Sequence, residues 1–238
     1  LSYGGRVIRI DGDMAAASRI CGEMVRRRKW FQCGGPNPYR IAAKRTFAYG
    51  LVQQLGRAPD IVLLPCGGGA GMVAAHDVFR ELFVAGVIER MPRLVGVQLQ
   101  ACDPIARAFH EGRDVVTPVD KKPSLSDAIM NNDPYWGRFC LQAVRETGGT
   151  MISVSDADFI RAIRELGREE GLFVEPAGAA SVAALRYLVK TPGFEAPGLT
   201  VCNLTGHGLN VPQVAADESE TPDVIPPTVE AVEAFLQR

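Results

Sequence analysis

Four glycines lie within five consecutive positions, at Gly67, Gly68, Gly69 and Gly71. They follow an apolar, β-branched run at 61–64 that ends at Pro65 and indicates a buried strand. From Met72 onward, apolar side chains recur at helical spacing. A glycine turn that leads from a strand into a helix presents several backbone N–H groups at the positive end of the helix dipole. Residues 67–72 are therefore predicted to bind a phosphate group.

Other glycine-rich loops fit this segment less well. A Walker loop ends in Gly-Lys followed by Ser or Thr, whereas here Met72 follows Gly71. The loose dinucleotide pattern Gly-x-Gly-x-x-Ala is present at 69–74. However, the next predicted strand, 94–99, is followed by Gln100 instead of an acidic residue that would bind ribose hydroxyls. A tight turn without a ligand is a further alternative, although such a turn needs fewer glycines.

A second segment whose residues could bind a ligand is Thr-Gly-His-Gly-Leu at 205–209, after the predicted strand 199–204. Ligands of open parallel sheets bind beyond the carboxyl ends of the strands. The hydroxyl of Thr205 and the glycine turn are therefore predicted to share one crevice, with an ordinary turn threonine as the alternative. From its type and its glycine-rich surroundings alone, His207 could act as a base. No acidic partner accompanies it in sequence, so neither a metal site nor a catalytic triad is expected.

The rest of the chain alternates strands and helices. The predicted strands are 6–10, 61–64, 94–99, 150–154 and 199–204. Predicted helices run to about residue 28, from 38 to 55, from 71 to 87, from 134 to 146, from 155 to 170, from 177 to 189 and from 228 to 237, with a short one after Pro104. This order predicts an α/β fold, a mostly parallel twisted sheet with helices on both faces. Residues 111–133 are predicted to form a long functional loop, and 216–227 a linker.

The composition excludes several classes of protein. The chain has 238 residues, of which 47% are hydrophobic, and a formal net charge of −1. These values favour one large or two small globular domains and give no indication of nucleic-acid or membrane binding. The six cysteines show neither a C-x-x-C pair nor zinc spacing. We expect most of them to be buried, reduced thiols, which favours a cytoplasmic location.

Several segments resemble threonine synthase and the related fold-type II (tryptophan synthase β-like) pyridoxal-phosphate enzymes. These segments are 37–40, 65–72, 124–134, 171–181 and 205–209. Because their order and separations are similar to those of the family, the resemblance covers nearly the whole chain. Asn-Pro-Tyr-Arg at 37–40 together with the 205–209 segment is typical of threonine synthases. The glycine-only loop is closer to the version found in serine and threonine dehydratases.

The resemblance implies pyridoxal 5'-phosphate as the cofactor and assigns roles to particular residues. The cofactor phosphate would be held by Gly67, Gly68, Gly69, Ala70, Gly71 and Met72. Thr205 would face the pyridine nitrogen, where a neutral hydroxyl favours elimination and replacement over transamination. Arg40 would bind the anionic group of the substrate, because a guanidinium suits phosphate or carboxylate. Ser126 would lie in the substrate site beside the cofactor ring. Glu175 would either border the cofactor or act as a structural turn acid. His207 would belong to a loop in which it shapes the backbone.

The resemblance also implies an organisation for the whole protein. Residues 1–36 would be the tail of a smaller domain, and 37–238 the larger domain with the phosphate loop. A homodimer that acts on a small amino-acid substrate is expected. The chain begins at Leu1 without an initiator Met, which suggests a fragment. Because the Schiff-base lysine of the family lies upstream of Leu1, no catalytic residue is expected in this chain, and the fragment alone is expected to be inactive.

The expected reaction of the intact protein is the elimination and hydration of O-phosphohomoserine to threonine. Threonine synthases usually carry Asn-Ser shortly before Asn-Pro-Tyr-Arg, whereas this chain has Gly34 and Gly35. A serine or threonine dehydratase, or an ammonia-lyase, is therefore one alternative. A non-catalytic ligand-binding or assembly domain without the lysine is the other.

Overall fold

A computed structural model describes residues 3–12, 14–35, 37–194, 198–217 and 222–237. In this part of the chain, a single sheet contains β1 (Ile61–Pro65), β2 (Arg93–Leu99), β3 (Thr150–Val154) and β4 (Thr200–Cys202). The strand order is β3-β2-β1-β4, and every neighbouring pair is parallel. Ile61 lies opposite Arg93 on one side and Thr200 on the other. The predicted parallel sheet is confirmed.

Each predicted helix has a counterpart in the structure. The described helices are α1 (Met14–Arg28), α2 (Pro38–Leu55), α3 (Ala70–Val84), α4 (Pro104–His110), α5 (Gly137–Glu146), α6 (Asp156–Glu169), α7 (Pro176–Leu188), α8 (Pro212–Asp217) and α9 (Val229–Leu236), of which α8 is additional. The side chain of Asn37 accepts the N–H of Tyr39 at 2.9 Å and caps α2, with Pro38 in the first turn. Ser155 and Asp158 form the predicted capping box of α6. None of these described helices has the length and apolar composition that a membrane span requires.

The core lies on both faces of the sheet, because successive residues of β1 point to opposite sides. Leu63 packs in a cluster with Phe159 of α6 and with residues of α7. Val62 packs on the other face with Phe79 of α3 and with residues of α2 and α5. Both phenylalanines are fully buried, and such burial contributes roughly 1.5–3 kcal/mol per side chain. Helices on both faces explain why β1 is apolar throughout.

Three predicted elements differ from the structure. Residues 6–10 form no strand, and the side chains of Val7 and Ile8 are exposed. No described strand lies beside this segment, and an isolated strand lacks hydrogen-bond partners. The predicted strand 199–204 is shorter in the structure and is β4. Helix α8 occupies the start of the predicted linker, of which residues 218–221 lie outside the described residues.

Candidate functional site

The glycine turn connects the buried strand β1 with helix α3. The N–H of Cys66 donates to the carbonyl of Val97 at 2.8 Å, so the turn starts from a fixed point on the sheet. Gly69 precedes α3 with a φ of 89°, in the left-handed region that favours glycine. Among the described residues, the backbone N–H groups of 67–72 have no hydrogen-bond acceptor. Six donors are therefore available to an anion at the start of α3.

The long loop between α4 and α5 packs against this turn. A Cβ at Gly67 would lie 3.2 Å from the Cα of Ile129, and one at Gly68 would lie 3.0 Å from Asn131 Nδ2. A Cβ at Gly69 would lie 3.1 Å from the carbonyl oxygen of Trp136. These separations are shorter than ordinary van der Waals contacts, so close approach of the loop explains the three glycines. The loop that the sequence predicts to be functional thus borders the predicted phosphate site.

Gln98 is a positioning residue that the sequence reasoning missed. Its side chain is fully buried in β2. Its Oε1 atom accepts the N–H groups of Ile105 and Ala106 in the first turn of α4, each at 2.9 Å. Its Nε2 atom donates to the carbonyl of Gly67 at 3.4 Å. Gln98 therefore connects β2, α4 and the glycine turn. The available signal was a polar residue inside an apolar strand, because such residues require buried partners.

Thr205 follows β4, the strand beside β1. The N–H of Asn203 donates to the carbonyl of Leu63 at 3.0 Å, which extends the pairing of these two strands by one bond. Because β1 and β4 are parallel, Thr205 and the glycine turn both leave the sheet at its carboxyl end. The side chain of Thr205 is exposed. The topology that the sequence predicts for these two segments is present, and the roles assigned to them stay predictions.

Glu175 and His207 shape the segment that contains Thr205. The N–H of Glu175 donates to the carbonyl of Gly206 at 3.1 Å, and its Oε2 atom accepts Asn210 Nδ2 at 2.9 Å. A Cβ at Gly206 would overlap the carboxyl group of Glu175. His207 Nδ1 accepts the N–H of Leu209 at 3.1 Å, as expected for a residue that shapes the backbone. Of the two expectations for Glu175, these contacts favour the structural turn acid.

Arg40 and Ser126, the two residues predicted to bind substrate, lie in different environments. Arg40 is exposed in the first turn of α2, and within the described residues its side chain forms no hydrogen bond or ion pair. Ser126 is 4% exposed in the long loop, where its N–H donates to Ser124 Oγ at 3.3 Å. Ser124 Oγ in turn donates to Asp156 at 2.6 Å. Ser126 therefore belongs to the same loop that packs against the glycine turn. Among the described residues, no hydrogen bond or ion pair connects Arg40 with that turn.

In the described residues, a glycine turn follows the carboxyl end of β1 in a parallel sheet, and its backbone N–H groups have no acceptor. This arrangement defines an α/β protein that can hold a phosphorylated ligand. Residues 1–206 match the family of pyridoxal-phosphate dependent enzymes, and the chain belongs to that family. The cofactor of this family is the one predicted from the sequence. The residues present fit its phosphate group. Six backbone N–H groups of the turn have no acceptor among the described residues, and three successive residues of the turn have no side chain that would block an anion.

Two curated relatives are threonine synthases. The chain is 33% identical to the threonine synthase of Methanosarcina acetivorans over 233 residues, which are 98% of this chain and 58% of that protein. It is 34% identical to the threonine synthase of Synechocystis sp. over 220 residues, which are 92% of this chain and 55% of that protein. The chain therefore spans somewhat more than half the length of these relatives.

Two solved enzyme structures share the fold. Maize serine racemase superposes with a TM-score of 0.73 at 16% identity, over 91% of this chain and 63% of that chain. The processed form of threonine deaminase isoform 2 from Solanum lycopersicum superposes with a TM-score of 0.71 at 17% identity, over 91% of this chain and 60% of that chain. At these identities the likeness concerns the fold alone, and it confirms the predicted fold-type II class.

Proposed function

We propose that this chain carries the cofactor-phosphate site of a threonine synthase-like lyase. The reaction converts O-phosphohomoserine and water into threonine and phosphate. The observation that carries the proposal is the set of six N–H groups at 67–72 that have no acceptor among the described residues, in a chain that is one-third identical to threonine synthases. Because the chain spans somewhat more than half of those relatives, the activity is proposed for the full-length protein. In that protein the Schiff-base lysine would precede Leu1.

Each candidate residue has a chemical task in this proposal. When bound, pyridoxal 5'-phosphate supplies an electron sink for the α-carbon of the substrate. The N–H groups of 67–72 hold the phosphate, and the hydroxyl of Thr205 contacts the pyridine nitrogen. A hydroxyl, unlike a carboxylate, does not keep a proton on that nitrogen, so Thr205 favours elimination over transamination. Arg40 binds the anionic group of the substrate, and Ser126 lies beside the cofactor ring.

The phosphate assignment is tested with Gly68→Asp, which places a carboxylate among the N–H groups. We expect this variant to lose at least about 100-fold in pyridoxal 5'-phosphate affinity, because it removes several charge-assisted hydrogen bonds and adds repulsion. The affinity is measured by fluorescence titration of the full-length protein. Gly167→Asp is the matched control, because Gly167 lies in α6 with open space where its Cβ would be. Unchanged affinity of folded Gly68→Asp would contradict the proposal.

A serine or threonine dehydratase, or an ammonia-lyase, is the second candidate. It is favoured by the glycine-only turn and by Gly34 and Gly35, which replace Asn-Ser of threonine synthases. Assays of the full-length protein separate the two reactions. Phosphate release from O-phosphohomoserine indicates a synthase, whereas 2-oxo acid and ammonia from threonine or serine indicate a dehydratase. Cofactor binding without either product indicates the non-catalytic domain.

The same resemblance leads us to propose a cytoplasmic homodimer with a smaller domain that includes residues 1–36. Light scattering of the full-length protein measures its mass in solution. Fractionation of the source cells locates it. A monomer, or a protein outside the cytoplasm, would contradict this part of the proposal.

A further inference from the structure

Asn131 lies in the long loop, directly over the glycine turn. Its Nδ2 atom is 3.0 Å from the position that a Cβ of Gly68 would occupy. The backbone of Asn131 is held by a hydrogen bond from its N–H to the carbonyl of Ile129 at 3.1 Å. Ile129 itself lies against Gly67. The side-chain amide is thus fixed to the same part of the loop that forms the wall of the turn.

The orientation of this amide follows from its second hydrogen bond. Asn131 Oδ1 accepts the N–H of Asp133 at 3.2 Å. Because only the oxygen of an amide can accept that N–H, the NH2 group must lie on the other side, towards the glycine turn. In the described part of the chain, Nδ2 has no acceptor of its own. It is a seventh donor beside the six backbone N–H groups of 67–72.

We infer that Asn131 Nδ2 donates a hydrogen bond to the phosphate held at 67–72, which makes Asn131 a further cofactor-binding residue. This inference rests on the proposed function, because it needs an anion at the turn. The amide would add a side-chain donor to a site otherwise built of backbone groups. It would also explain why Gly68 has no side chain, since a Cβ there would crowd the amide.

Asn131→Asp tests the inference with little change in shape. The variant keeps an oxygen that accepts the N–H of Asp133, and it replaces the NH2 donor with an oxygen that repels phosphate. Asn132→Asp is the matched control, because it adds the same charge one residue away, and within the described residues the Asn132 side chain forms no hydrogen bond. Both variants of the full-length protein are titrated with pyridoxal 5'-phosphate and with pyridoxal, which lacks the phosphate.

We expect Asn131→Asp to lose about tenfold or more in affinity for pyridoxal 5'-phosphate, as for the loss of a hydrogen bond to a charged group. Its affinity for pyridoxal is expected to stay within about twofold, and Asn132→Asp is expected to bind both ligands like the parent protein. Unchanged phosphate-ligand affinity, or an equal loss for both ligands, would overturn the inference. If Gly68→Asp loses the cofactor and Asn131→Asp does not, only the inference fails. If neither variant loses it, the phosphate site itself is wrong.

Discussion

The Sγ atoms of Cys66 and Cys140 lie 3.7 Å apart in the core next to the glycine turn. Both residues are buried, with relative exposures of 1% and 0%. The contact with the Cys66 thiol and burial together raise the pKa of the Cys140 thiol well above its ordinary value. Since the thiolate is the reactive form, Cys140 is expected to be inert in the folded protein.

Alkylation with iodoacetamide at pH 8, followed by peptide mass spectrometry, measures this difference in reactivity. Cys66, Cys102 and Cys140 are buried and Cys202 is half-buried, whereas Cys21 and Cys33 are exposed and serve as internal controls. We expect both to be modified fully while Cys140 remains almost unmodified until denaturant is added. Equal labelling of Cys140 and Cys33 in the folded protein would contradict the burial of this thiol pair.

Gln98→Leu is expected to lower the free energy of unfolding by about 1–3 kcal/mol, the cost of leaving buried donors unpaired. The reason is that leucine accepts neither the N–H of Ile105 nor that of Ala106. Urea denaturation followed by circular dichroism measures the effect. Gln100→Leu is the control, since Gln100 is exposed just after β2. Equal stability of the two variants would show that the Gln98 side chain does not hold α4.

Gly69→Ala and Gly71→Ala are expected to have opposite effects on the melting temperature. Alanine at Gly69 would adopt a left-handed φ of 89° and would crowd the carbonyl of Trp136, so we expect a loss of about 1–2 kcal/mol or more. Gly71 lies in α3 with open space around its Cβ position, so alanine there is expected to stabilise the helix by up to about 1 kcal/mol. Differential scanning calorimetry measures the melting temperatures of the two variants and of the parent protein. Destabilisation by both would indicate a different turn geometry.

Asp60 is expected to make stability depend on pH. It accepts the N–H of Leu199 at 2.7 Å and pairs with Arg57 and Arg90 at the amino end of β1. The hydrogen bond from Leu199 lowers the pKa of Asp60 and outweighs the opposing effect of burial, and the two arginines lower it further. Because the folded-state pKa is the lower one, this stabilisation is complete above the unfolded pKa of about 3.9 and disappears as the pH falls through the folded value.

Asp60→Asn is therefore expected to be less stable than the parent protein at pH 7, with a difference that shrinks as the pH falls below about 4. Melting temperatures measured between pH 7 and pH 2.5 provide the comparison. Asp120→Asn, at an exposed position in the long loop, is the control. A difference in melting temperature between Asp60→Asn and the parent protein that stays constant over this range would show that ionisation of Asp60 does not stabilise the fold.

Thr205→Val is expected to reduce turnover of the full-length protein while its affinity for pyridoxal 5'-phosphate stays within about threefold, because the phosphate contacts lie elsewhere. Thr205→Asp is expected to divert part of the turnover to transamination, which is detected as pyridoxamine 5'-phosphate. Thr191→Val, at the exposed end of α7, is the control. Parent-like rates and products in both Thr205 variants would remove Thr205 from the cofactor site.

Local signals predicted much of this fold. The starts of α2 and α6 could be predicted from Asn37 and Ser155, because a capping hydrogen bond joins residues only two or three positions apart. The glycine turn could also be located, since its glycines are consecutive. By contrast, the β-branched residues at 6–10 predicted a strand that the structure does not show, because strand formation depends on a neighbour that the local sequence does not specify.

Tertiary contacts limited the prediction of the candidate site. Asn131 was not singled out because its relation to Gly68 exists only after the long loop has packed on the turn. Gln98 was missed for the same reason, since the N–H groups that it accepts belong to a separate helix. Thr205 was singled out because it follows a predicted strand, and the carboxyl ends of the strands of a parallel sheet lie at one edge. The pairing of β4 with β1 agrees with that topology. Residues with partners distant in sequence are those that pattern reasoning could not place.

The strand order β3-β2-β1-β4 has a consequence for how the protein is made. Of the four strands in the described residues, β4 is the last in sequence but pairs with β1, the first. The hydrogen bond from the N–H of Leu199 to the carboxylate of Asp60 joins residues 139 positions apart. Such distant pairings are slow to form, because the intervening chain must be ordered first. During synthesis, the residues of the glycine turn are therefore translated long before β4 and Thr205. We expect a nascent chain to retain no cofactor until β4 has been translated and has paired with β1, because the glycine turn takes its position only in the folded sheet.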